Sequence, residues 1–329
     1  MAGIDLHTHL APSLGAAEPA GLPGLAAVDG RLSVDGAPVG PPSLYRPEAL
    51  EAWLGERGLD AAAVSPPPPF FRQHLPAHEA ATWVRALNDG ILRAVADRPR
   101  LLPMAYLPLE HPEVAAAEYD RLRDAAPPGE GRWAGFAASA GGRSVSLADA
   151  SLEPLWSRLA EDGRPLLLHP GASPDERLEE FYLANLLGNP YETAVAVAQL
   201  LFGEVTARHP GLRFLLVHCG GCVPAVLGRW QRGADTARPG VPALSAPLRE
   251  AIRGFYADCL AHDPAVVDLA ADLFGADRIV LGSDWPFPMG SDDPAVLVAH
   301  RGPEFVRRAG VENARALLGG SDPVRRLGI

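Results

Sequence analysis

A chain of 329 residues, 47% of them hydrophobic, suits one large α/β domain or two ordinary ones and can bury a core without disulfide staples. Its formal net charge of −11 argues against nucleic acid or an anionic membrane surface as the main partner, and no apolar run is long enough to cross a bilayer. All 29 basic residues are arginine, which excludes a lysine Schiff base, a P-loop lysine and a carboxylated lysine bridging two metals.

The first predicted strand, Gly3–Leu6, starts almost at once, which reads as a cytoplasmic chain with no secretory leader. It runs into "HTH", placing His7 and His9 two apart, the spacing that turns both side chains to one face of a strand. The stretch Ala11–Arg46 then breaks the pattern. It is rich in Gly, Pro and Ala, with a turn expected at Val34–Asp35–Gly36–Ala37, and reads as an inserted loop or a small hairpin lid.

Seven further strands are predicted at Ala61–Ser65, Leu101–Leu107, Trp133–Ala138, Leu166–His169, Arg213–His218, Phe255–Asp258 and Ile279–Ser283. Helical patterns separate them, including Glu79–Asp97, Pro112–Ala126, Ser151–Asp162, Glu192–Arg208, Pro264–Phe274 and Glu304–Ala309. The prolines Pro66–Pro69 should hold an extended loop after the second strand. Strands alternating with helices imply parallel pairing. At this length a (β/α)8 TIM-type barrel, one domain over residues 1–329 with 11–46 inserted after the first strand, fits best; an open doubly wound sheet is the alternative.

Chemistry-bearing residues gather at predicted strand ends. They are His7 and His9, His169 in "PLLLHPG", His218 in "FLLVHCGG" and Asp284 in "IVLGSDWPFP". In a parallel barrel all strand C-termini open on one face, so these residues converge there. A single histidine at a strand end is ordinarily a hydrogen-bonded loop residue, but five such groups in one register point to a divalent metal. Three imidazoles and a carboxylate suit zinc first, with manganese, cobalt or iron as alternatives. The preferred ligand set is His7, His9, His169 and Asp284, with a water whose pKa the metal lowers towards ~7 and with His218 as general base. The converse, His218 as ligand and Asp284 moving the proton, stays open. The remaining histidines lack this setting, save His262, which follows the seventh strand. Cys219 and Cys222 form a C-x-x-C, but the pair follows a strand deep in a long chain, unlike the redox motif at the start of a helix.

The ordered set HTH, HP, HCGG and GSDWPFP resembles the amidohydrolase superfamily. More narrowly it resembles the branch that contains α-amino-β-carboxymuconate-ε-semialdehyde decarboxylase. The stretches Leu87–Leu109, Asn189–Trp230 and Tyr256–Gly290 carry the same likeness, and 11–46 is the main exception. The resemblance implies a (β/α)8 barrel, one divalent metal on His7, His9, His169 and Asp284, a catalytic histidine at His218 and a homodimer. It places Arg229 where an arginine reaches the neighbouring subunit's site to hold a substrate carboxylate, and Phe287 beside the pocket. Two departures accompany it. Phe181–Tyr182 replaces a Tyr-Trp pair, with Tyr182 the candidate substrate contact. Arginines ahead of the second strand are absent, Leu50 and Ala52 standing near their places and Arg46 being the nearest substitute. The implied reaction is metal-dependent, non-oxidative decarboxylation of a small unsaturated or aromatic carboxylate, with His218 and Asp284 managing the proton. The alternative is a hydrolase of an ester, lactone or amide, or a hydratase, on the same site.

Overall fold

A computed structural model describes residues 3–124, 132–319 and 324. Eight parallel strands follow one another around a barrel: β1 (Ile4–His9), β5 (Ala61–Ser65), β6 (Leu101–Tyr106), β7 (Gly135–Ala140), β8 (Leu166–Pro170), β9 (Phe214–Leu216), β10 (Phe255–Asp258) and β11 (Ile279–Val280). Backbone bonds from Leu6 N to Leu281 O (2.9 Å), Asp284 N to His7 O (2.8 Å) and His9 N to Trp285 O (2.8 Å) bring the last strand against the first. The fold expected from the alternation of strands and helices is therefore the one observed. The interior is apolar at its lower end: Ile4, Leu6, Ala61, Ala63, Leu102, Met104, Ala137, Leu167, Leu215 and Val280 form one cluster. Outer helices pack their apolar faces against the other side of the same strands.

The segment after β1 forms a three-stranded antiparallel sheet, β2 (Leu25–Val28), β3 (Arg31–Val34) and β4 (Ala37–Pro38). Both connections are Asp-Gly pairs with positive φ, Asp29–Gly30 (50° and 75°) and Asp35–Gly36 (51° and 82°). That is the two-residue turn whose twist matches paired strands. The sheet's buried residues Leu25, Leu32, Val34 and Val39 share a cluster with Phe70, Phe71, Trp83 and Tyr106 from the barrel side. Arg72 fastens the two together: it stacks on Trp83 at 4.8 Å, bonds the Pro23 carbonyl and donates to Asp35 Oδ1 at 2.6 Å.

Three local expectations are corrected. The proline run is extended only at its start, turning into a 3-10 helix at Pro68–Phe70. The predicted helix Glu192–Arg208 is two helices, Asn189–Phe202 and Val205–Arg208. Gly203 packs where a Cβ would lie 2.3 Å from the Ala148 Cβ, and Glu204 turns left-handed at φ 52°. The strand before His218 ends at Leu216, because His218 leaves it with φ 53°. The predicted tail of Pro112–Ala126 falls partly on undescribed residues; the helix is described over Pro112–Asp124.

Candidate metal centre and active site

Strand alternation alone would turn His7 and His9 away from the barrel axis, because Ile4 and Leu6 already occupy the inward positions. A register shift between Asp5 and Thr8 inserts one extra residue against β5, so Ile4 pairs with Ala61 but His9 pairs with Ser65. The bulge re-aims the histidines into the mouth. His169 arrives on β8, and Asp284 comes from the turn after β11 with φ 59°. One ligand atom from each of His7, His9, His169 and Asp284 lies within 4.8 Å of all the others. That span is close to twice the ligand distance of a single ion, about 2.0–2.2 Å.

The donor chemistry fits a cation. His7 Nε2 and His9 Nε2 are buried and hydrogen-bond to nothing, yet they lie 3.5 and 3.1 Å from Asp284 Oδ1. The other nitrogen of each ring is engaged: His7 Nδ1 with Asp258 Oδ2 at 2.8 Å, and His9 Nδ1 with the Ser65 carbonyl at 3.3 Å. Protons held on Nδ1 leave both Nε2 lone pairs facing the carboxylate, an arrangement of acceptors that a cation satisfies. Burial, reinforced by the neighbouring histidines, holds His169 well below the usual imidazole range. Burial lowers His9 as well, against the pull of Asp284. Burial opposes charge on Asp284, but His218, His7 and His9 outweigh it and hold this carboxyl well below its ordinary value. His7 goes the other way: burial lowers it, but the hydrogen bond to Asp258 and the charge of Asp284 outweigh that and raise it. The neutral imidazoles of His9 and His169 and the ionised carboxylate are the ligand states a metal requires, and a bound cation would have to displace any proton on His7 Nε2.

His218 sits at the rim. Its Nε2 is 3.9 Å from Asp284 Oδ2, and its ring centroid lies 5.3 Å from His7 and 5.2 Å from His169. The backbone there is left-handed through Cys219 because Asp258 gathers it in, accepting from His218 N at 3.0 Å, Cys219 N at 2.7 Å and Leu260 N at 3.0 Å. The same carboxylate holds His7. Asp258 escaped the sequence reading although it ends a predicted strand, the position that marked His169. Gly282 permits this crowding, since a Cβ there would fall 2.7 Å from Asp258 Cβ and 2.9 Å from His7 Cβ.

Of the other predicted residues, Phe287 stands beside the metal site, its ring edge-on to His9 at 5.5 Å. Arg46, Tyr182 and Arg229 are exposed, and their side chains make no hydrogen bond or ion pair among the described residues. His262 is exposed. Burial raises the thiols of Cys219 and Cys222, which works against thiolate chemistry at the C-x-x-C.

Glu110, just beyond β6, is only 9% exposed, and burial raises its carboxyl from 4.5 to about 7. The unfolded chain ionises there first, so this stabilising contribution is complete below pH 4.5 and lost as pH rises through 7. Glu110→Gln is expected to raise the melting temperature at pH 8, with the gap to wild type closing as pH falls towards 4.5. Calorimetry at both ends checks this; a pH-independent gap contradicts it.

The amidohydrolase family model matches residues 4–320, nearly the whole chain. This chain belongs to the amidohydrolase family. Among its relatives is the 2-amino-3-carboxymuconate-6-semialdehyde decarboxylase of Dictyostelium discoideum, 28% identical over 97% of this chain and 89% of that protein. The gamma-resorcylate decarboxylase of Rhodococcus jostii is 30% identical over 65% of this chain and 70% of that one. A dihydroxybenzoic acid decarboxylase from Polaromonas, crystallised with bound manganese, shares the fold with a TM-score of 0.77 at 20% identity, covering 97% of each chain. In this amidohydrolase the four candidate ligand side chains, and the histidine beside them, stand at or just beyond strand ends on one barrel mouth.

Proposed function

We propose that this amidohydrolase is a metal-dependent, non-oxidative decarboxylase of a small unsaturated or aromatic carboxylate. The observation that carries the reading is the convergence of His7, His9, His169 and Asp284 on two unpartnered imidazole nitrogens, with His218 3.9 Å from the same carboxylate. The decarboxylase relatives of both carboxymuconate and resorcylate type support it.

Bound by these four residues, the ion would act as a Lewis acid towards a substrate oxygen. We assign it as zinc on the donor set, with manganese in the Polaromonas relative as the competing assignment for metal analysis. The protein's own work is with a proton. The bond from carbon to the carboxylate breaks, CO2 leaves with no electrons removed, and a proton replaces it on carbon. We assign delivery of that proton to His218 Nε2 and Asp284 Oδ2, which stand 3.9 Å apart and would close on one another to pass it. Phe71 and Phe287 wall the mouth, and both pack against the sheet formed by residues 11–46, which we read as a lid over the site.

We infer a homodimer in which Arg229 serves the neighbouring site. Arg229 lies exposed on the helix Val223–Asp235, with no ion pair among the described residues. That helix begins against a segment exposing Phe181, Tyr182, Leu186, Leu187 and Tyr191, joined to it by Cys222 N to Pro190 O at 3.1 Å. An apolar patch of this kind suits a subunit contact, and Tyr182 and Arg46 are the further substrate contacts we assign. Arg229→Ala is expected to raise KM roughly tenfold with metal content intact, a loss typical of one charge-assisted hydrogen bond. Full activity in a strictly monomeric form would remove this role. Three free cysteines support a cytoplasmic setting; no described helix is long and apolar enough to cross a membrane.

The deciding experiment loads the purified protein with zinc or manganese and offers it unsaturated and aromatic carboxylates beside esters and lactones. CO2 release from a carboxylate is the expected outcome. Acid release from esters or lactones without CO2 from any carboxylate overturns the proposal in favour of a hydrolase.

A further inference from the structure

Three polar residues on one side of the mouth, Tyr106, Ser139 and Glu110, are used neither by the metal site nor by the proton pair. Strand parity places Tyr106 and Ser139, and Glu110, four residues past Tyr106, lies close enough for its charge to act on the Tyr106 hydroxyl. Leu102 and Met104 of β6, and Ala137 of β7, face the barrel axis, so Tyr106 and Ser139 continue the same inward rows at the strand ends. Ser139 is the register partner of the ligand His169. Tyr106 stacks on Phe71 at 4.5 Å with the rings 7° apart, and Phe71 meets the His169 ring edge-on at 6.1 Å.

These groups are buried and incompletely satisfied. Ser139 is fully buried beside the Tyr106 hydroxyl, close enough to act on it, and no hydrogen bond of ordinary geometry ends on its Oγ among the described residues. The Tyr106 hydroxyl donates to the Phe71 carbonyl at 3.3 Å and keeps accepting capacity. Glu110, four residues on, has a buried Oε2 with no partner, and no cation pairs with it among the described residues. Buried polar atoms left open in this way are costly unless something binds them. The charge balance narrows what that is. Once ionised, Glu110 would repel a second carboxylate with no cation among the described residues to offset it, whereas a hydroxyl pairs with it in either protonation state, donating to the carboxylate or accepting from the acid. A neutral hydroxyl can donate to Glu110 while accepting from Ser139.

Resting on the reading of this chain as a decarboxylase, we propose that Ser139, Glu110 and Tyr106 form a subsite, on the β6–β7 side of the mouth, for a hydroxyl substituent of the carboxylate substrate. Their role is positioning and discrimination. The proton that replaces CO2 is handled on the opposite wall, by His218 and Asp284.

The test uses the full-length, metal-loaded protein with benzoate and the three monohydroxybenzoates as probes in titration calorimetry, alongside CO2 release. Wild type is expected to bind one hydroxylated isomer about tenfold more tightly than benzoate, the scale of one well-placed hydrogen bond. Ser139→Ala and Glu110→Leu are expected to bring that preference close to parity, and Ser139→Thr to keep it. A preference that survives both truncations, or that Ser139→Thr abolishes as fully as Ser139→Ala, overturns the subsite and leaves the decarboxylase reading standing. No binding of any of the four acids overturns the subsite, and the decarboxylase reading then stands or falls on the wider panel of unsaturated carboxylates, esters and lactones.

Discussion

Replacing His218 by alanine is expected to lower kcat about 10²–10⁴-fold, the usual contribution of a general acid or base, while the metal stays bound. The two halves of this expectation come from different observations. Ligand atoms from His7, His9, His169 and Asp284 already complete a set of four without it. His218 Nε2 is 3.9 Å from Asp284 Oδ2, an ion-pair distance that must shorten before a proton can pass between them, and the ring is partly open to the mouth. Metal analysis per chain, beside single-turnover CO2 release, separates the possibilities. Loss of the ion in His218→Ala would make His218 a ligand and return the proton step to Asp284. Full turnover with metal retained would remove it from the chemistry.

The barrel was legible because each of its strands is a short apolar run between turn signals, and because alternation with helices leaves few other topologies. The candidate ligands were legible for a simpler reason: histidines and an aspartate stood at predicted strand ends. How His7 and His9 reach the axis was not. Alternation from Ile4 and Leu6 points them the other way, and the bulge that corrects it depends on pairing with Ala61–Ser65, fifty residues along. Asp258 was hidden differently. It ends the run "FYAD" as His169 ends "LLLH", but an aspartate at a strand end is common and its partners, His7 and the backbone of residues 218–219, are distant in sequence. The insertion showed only half its nature. The Asp35–Gly36 turn marked a hairpin, yet the third strand and the Arg72 clamp arise from contacts that composition does not carry.

Asp258→Asn should weaken metal binding by about 10–100-fold, the usual penalty for removing a carboxylate behind a ligating histidine. It should also depress turnover at saturating metal. Asp258 takes four donors at once: His7 Nδ1 at 2.8 Å, His218 N at 3.0 Å, Cys219 N at 2.7 Å and Leu260 N at 3.0 Å. An asparagine accepts at only one end, and its amide must turn a donor towards another donor. If the amide takes the place of Oδ2, His7 Nδ1 and His218 N both lose their acceptor: the ring loses the contact that fixes its proton on Nδ1, and the turn loosens at His218. If it takes the place of Oδ1, Cys219 N and Leu260 N lose theirs, and the left-handed turn at His218–Cys219 is held by one bond fewer. Either choice costs one arm of the site, because the buried carboxylate has no spare partner and no water-exposed face to rotate into. Metal titration reads the first arm, and kcat with the ion in excess reads the second. Wild-type values for both would show that Asp258 merely fills space between β10 and the turn after β9; a defect in affinity alone would confine its role to His7.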